Sequence, residues 1–158
     1  MTIIDTLVTD RTQADETRVE QLAAKGWARM TTAEREEWLA GQKGAYNATD
    51  LNRVGEAIQY IAIRLMQHGY SASVCPKTDW KLADLPSPVE MQRYLDDVST
   101  LTSALELRMA TPMVPLDMDR LTVQEANDIE RILLDVDRML SNIAAAWFYA
   151  GEIYSGEI

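Results

Sequence analysis

At 158 residues the chain has the size of one domain, long enough to bury roughly two thirds of the surface that its unfolded form exposes. Its formal net charge of −10 repels phosphate backbones and anionic lipid, and no Lys/Arg cluster reverses the field, so neither nucleic acid nor membrane is expected as a partner. Cys75 is the only cysteine, which excludes an internal disulfide and any CxxC site, and no apolar run approaches the roughly 18 residues of a membrane-spanning helix.

The opening MTIIDTLVTDRT lacks the positive region of a secretory signal. Residues 1–46 read as an N-terminal helical arm with two short helical patterns, roughly 12–25 and 32–41. Gly41 and Gly44 then break the chain before AYNATD. Helix starts are written plainly. TQAD (12–15), TTAE (31–34), NATD (47–50), SPVE (87–90) and TVQE (122–125) each place a cap residue three positions before an acid. The first side chain accepts from an exposed helical N–H, and the fourth reaches back to the cap N–H. Asn47, Ser87 and Thr122 are thereby predicted as caps of three principal helices, over 47–66, 88–107 and 122–147.

Each principal helix carries an apolar seam. In the first it is Leu51, Val54, Ile58, Ile61 and Leu65, and in the second Met91, Leu95, Val98, Leu101 and Leu105. The last runs Ala126, Ile129, Leu133, Val136, Leu140, Ile143 and Trp147, about six turns on one face. The fold expected is therefore mainly α: one compact bundle, with its core in 47–150. Between the helices, 68–86 is a long linker with an extended piece near SASV and a turn after Trp80. The proline-bearing 109–120 is expected to cross a bundle end irregularly. Residues 47–65 and 122–140 align without a gap and pair Asn52 with Asn127. Two capped amphipathic helices in one bundle explain most of that echo, with an ancestral duplication as the rival.

The chain closes on YAGEIYSGEI, and 151–158 are read as an extended tail. Gly151 and Gly156 permit turns, while Ile153, Tyr154 and Ile158 alternate along an extended strip. That strip packs either on 71–76 of its own chain or on an exposed strand edge of a neighbour.

Catalytic chemistry is hard to place. Asp117 and Asp119, in DMD, lack the further oxygen ligands of a divalent-cation site and suit a turn before a helix cap. His68 is the only histidine and stands beside Gly69 at a helix end, a structural position. No nucleophile elbow, Walker loop, dinucleotide fingerprint or zinc set is present, so no catalytic residue, metal or cofactor is expected. Among the tryptophans, Trp147 continues a buried seam. Trp38 and Trp80 are candidate interface residues, Trp80 having a loop-fastening role as its other reading. Asn52 and Asn127 lie beside the seams, where an amide bonds a nearby loop backbone or fixes helix pairing.

Four segments carry a resemblance: KGAYNATDLNRVGEAIQYIAIRL (43–65), PKTDW (76–80), LTVQEANDIERILLDVD (121–137) and AAWFYAGEIYSGEI (145–158). Together they resemble proteins encoded among tail and baseplate genes of phages and prophages of Gram-positive bacteria. Tyr46, Asn47, Asp50, Leu51, Asn52 and Arg53 match the first motif; Asn127, Asp128, Ile129, Glu130 and Arg131 match the later one. The resemblance implies a structural or assembly component of a tail apparatus, made in the bacterial cytoplasm and carried into a virion or tail-like particle. Its partners would be tail or baseplate subunits, with self-association a further option. A bacterial helical adaptor or regulatory binding domain is the alternative, and an enzyme with a loop-built site is the third reading.

Overall fold

All five predicted capping boxes open helices. Thr12 starts α1 (Gln13–Lys25), Thr31 starts α2 (Thr32–Ala40), Asn47 starts α3 (Ala48–Gln67) and Ser87 starts α4 (Pro88–Ser103). Thr122 starts α5 (Val123–Ser155), its hydroxyl accepting from Glu125 N–H while the Glu125 carboxylate accepts from Thr122 N–H. Each such cap is worth about 1 kcal/mol. The computed structural model describes residues 1–105 and 110–155, with only the backbone for 148–155. Two short 3-10 helices, Ile3–Thr6 and Trp27–Arg29, complete the elements, and no strand occurs among the described residues.

α3, α4 and α5 form the core and run parallel. Near its start α3 meets α5 through Arg53 and Glu130, and near its end through Arg64 with Asp137 and Ser141. Parallel neighbours need a return path. α3 is about 30 Å long, and the segment from Gly69 to Trp80 covers that distance as roughly a dozen extended residues. This strap lies antiparallel to α3, with Trp80 beside Asn52 and the Lys77 carbonyl against Gly55. A Cβ at Gly55 would stand 2.7 Å from that carbonyl oxygen, so only glycine admits the strap so closely. Along α4 the order is the same: Lys77 faces Glu90, and Cys75 faces Asp97. Burial alternates from Ser71 to Trp80, as an extended segment requires.

The predicted seams meet in the middle. Val54, Ile58, Ile61, Val98, Leu101, Ile129, Leu133, Val136 and Leu140 are fully buried, joined by Ile132 from outside the predicted stripe. α3 ends in a Schellman turn. Tyr70 N–H donates to the Leu65 carbonyl and Gly69 N–H to that of Met66, with Gly69 at φ +83°.

Four expectations need correction. α5 does not give way to an extended tail at 151, because it stays helical through Ser155. Ala144, Ala145 and Ala146 favour helix strongly, no proline intervenes, and Gly151 costs only about 1 kcal/mol against alanine. Residues 156–158 lie outside the described residues. Trp147, read as core, is 68% exposed. α3 has ended by that level, so no described helix walls the continuing stripe. The connection to α5 does not simply cross a bundle end; it returns to the end where α3 and α4 begin, packing Val114 and Met118 on the core. α4 also stops at Ser103, where the Thr102 and Ser103 hydroxyls bond back to the Ser99 carbonyl.

Candidate functional site

The densest polar site is where the N-terminal arm joins the bundle. Arg11 ends the segment before α1, Asp50 and Arg53 stand one turn apart at the start of α3, and Glu130 projects from α5 into the same space. The Arg11 guanidinium bonds Asp50 at 2.8 Å and Glu130 at 2.6 Å, while Arg53 bonds both carboxylates from the other side. Glu130 is wholly buried and also accepts from Val8 N–H at 2.7 Å. Arg11 lies over the Tyr46 ring, 5.4 Å from its centroid, and donates to the carbonyls of Val8 and Lys43. Both necks of the arm, 8–11 and 43–46, are therefore fastened at one point.

Burial alone would lower the pKa of Arg11 and Arg53. Glu130 and Asp50 more than reverse that effect, and both guanidinium pKa values lie above the ordinary one. Tyr46 and Tyr94 share a hydroxyl–hydroxyl hydrogen bond beside the cluster, and burial pushes both phenols up. Two cations face two anions, and each is held by several bonds. Such a quartet neutralises itself and presents neither nucleophile nor poised base.

The two predicted asparagines do matching work on opposite flanks. Asn127 accepts from Arg11 N–H at 3.0 Å and donates to the Arg11 carbonyl at 2.9 Å. Asn52 accepts from Trp80 N–H at 2.8 Å and donates to the Trp80 carbonyl at 2.9 Å. Each amide thus stands in for a strand partner, giving a loop residue both of its backbone bonds. Trp80 is only 6% exposed and fastens the strap, with Lys77 Nζ 3.8 Å from its ring centroid; it offers a partner no surface. Trp38 is exposed on α2, with Leu39 beside it and Trp27 on the turn before. Ile153 and Tyr154 fall where only the helical backbone is described, and Ile158 lies outside the described residues. Asp117 Oδ1 accepts from Asp119 N–H in a local turn, and no metal-binding group of acids, histidine or cysteine occurs among the described residues.

Arg11 and Glu130 were not evident as a pair because 116 or more residues of sequence separate the arm from α5. One signal was available. Glu130 falls four after Ala126 and three before Leu133, inside the apolar stripe, where an acid demands a cation.

Two further features are open to a partner. A cleft of about 770 Å³ sits where α3, α4 and α5 begin, lined by Tyr46, Leu51, Met91, Met118 and Leu121 among others. At the other end α5 runs past its neighbours, with Ala145, Ala146 and Trp147 exposed on its last fully described turn. Fold and sites together define an all-helical bundle of three parallel core helices with an N-terminal helical arm. No protein-family model, curated protein or solved structure matches this chain.

Proposed function

We propose that this chain is a structural or assembly component of a phage or prophage tail apparatus, acting through protein contacts without turnover. One observation carries the assembly reading: α5 continues as helix well beyond the last described side chain that packs on its own core. Among the described side chains the last core residue on α5 is Leu140, with Ile143 partly covered, yet the helix reaches Ser155. Residues 144–155 add about 18 Å of helix. A tryptophan 68% exposed on that extension is a costly surface for a solitary protein and a common anchor in an interface. The resemblance of AAWFYAGEIYSGEI to a terminal segment of tail-associated proteins falls on the same stretch. The polar cluster supports the same direction, since its charges are spent on holding the arm.

Mass spectrometry of particles purified from a producing strain tests the proposal. Stoichiometric recovery in the tail fraction is the expected result. Consistent absence from particles, with recovery in a cytosolic host complex, would replace it with the adaptor reading.

A further inference from the structure

The cleft at the start of the three core helices has chemistry of its own. Its lining is apolar on Leu51, Leu121 and two methionines, whose flexible thioethers adapt to varied shapes, and polar at Gln92 and two aspartates. Pro86 and Pro88 stiffen one lip, where Leu85 and Val89 are strongly exposed; on the other lip Leu116, also strongly exposed, precedes Asp117. Asp117 and Asp119 both line the cleft, and no basic side chain lines it with them.

Arg120, between Asp119 and Leu121 in sequence, is the exception that sharpens this picture. It adopts φ +56°, the one non-glycine residue with positive φ among the described residues. An arginine there is strained by roughly 1 kcal/mol or more. Arg120 lines a separate depression, beside Gln13, Thr122 and Gln124. The backbone therefore leaves the two aspartates of the cleft without the cation that sequence places next to them. Neither forms an ion pair among the described residues.

We infer that this cleft docks a segment of a different protein that presents an apolar side chain flanked by lysine or arginine. The apolar residue fills the space between Met91 and Met118, and the cation meets Asp117 and Asp119. Charge complementarity selects this occupant over a second copy, because the chain itself is strongly acidic and its own terminal segment carries Glu152 and Glu157. The inference rests on the assembly reading but uses the end of the bundle opposite the α5 extension.

The test is methyl NMR on the full chain labelled at its methionines. Met91 and Met118 report the cleft, while Met30 and Met66 report places remote in sequence from it. The probes are two model peptides of equal length, one of leucine and lysine and one of leucine and glutamate. The lysine peptide is expected to shift Met91 and Met118 saturably and leave Met30 and Met66 still. D117N/D119N, two exposed changes, should weaken that binding about five- to tenfold. Four results would overturn the site: no shift at Met91 and Met118, equal shifts at Met30, equal binding of the glutamate peptide, or no loss in D117N/D119N. Shifts at Met91 and Met118 that follow protein concentration without peptide would assign the cleft to a second copy instead. Recovery in particles is scored separately, so failure of the cleft and failure of the assembly reading give different results.

Discussion

Asn127 holds Arg11 by both backbone groups, accepting from its N–H at 3.0 Å and donating to its carbonyl at 2.9 Å. This single amide fixes the direction in which the N-terminal segment enters the bundle, and it brings the Arg11 side chain to Asp50 and Glu130. Asn127→Ala leaves a buried donor and a buried acceptor unmet. At about 1–3 kcal/mol for each of the two unmet groups, a loss of roughly 2–6 kcal/mol is expected in urea unfolding. A loss below about 0.5 kcal/mol would mean that the arm is not held there.

The quartet should behave as a unit. Arg11→Met strands Glu130 and Asp50 on Arg53 alone, and a cost of about 3–5 kcal/mol is expected. Glu130→Leu leaves both arginines short of an anion and should cost a similar amount. The double variant removes one charge of each sign and keeps the Asp50–Arg53 pair, so its cost should fall well below the sum. Strict additivity in that cycle would show that the two residues act independently.

Acid should weaken the fold through its caps. Hydrogen bonding by the cap residues lowers the pKa of Asp15, Glu90 and Glu125, and the Lys25 side chain leads in lowering that of Glu34 to about 2. A lowered carboxylate stabilises above its unfolded pKa and loses that contribution as pH falls through the folded one. Stability should therefore decline from about pH 4.5 downward. Asp97 has the opposite sign. Burial raises its pKa, so its contribution is complete below the unfolded value and is lost as pH rises through the folded one. Asp97→Asn keeps an acceptor for Cys75 N–H and removes the charge. Relative to wild type, it should gain stability between pH 4 and pH 7, read as urea midpoints at both values. An unchanged difference would remove Asp97 from the pH response.

The local code was legible and the long-range pairing was not. Cap boxes at Thr12, Thr31, Asn47, Ser87 and Thr122 mark helix starts because both bonds form within four residues. Seams such as Leu51 to Leu65 show which face is buried, since periodicity is a property of one helix. Neither says which way two helices run relative to each other. The parallel arrangement follows from where Trp80 and Arg11 are caught by Asn52 and Asn127, and a single chain read in order contains no record of those contacts. The open cleft was equally hidden: its residues come from two helix starts and three loops, with no shared motif. Trp147 failed for another reason. A stripe continues in sequence whether or not a neighbouring helix continues beside it.

That difference can be measured on α5 itself. Leu133 is fully buried between α3 and α4, and Leu133→Ala should cost about 2–5 kcal/mol. Trp147 lies on the same predicted stripe but is mostly exposed, so Trp147→Ser should change stability by less than about 0.5 kcal/mol. Deleting 151–158 should likewise leave the thermal midpoint of the isolated chain nearly unchanged, because Ile143 is the last described side chain of α5 on the core and Trp147 beyond it is exposed. Incorporation into particles should suffer in both variants if the extension is what a neighbouring subunit grips. The pairing of a stable monomer with failed assembly is the expected signature. A clear drop in stability on deletion would place the segment back on its own bundle, and normal stability with normal assembly would deny the extension either role.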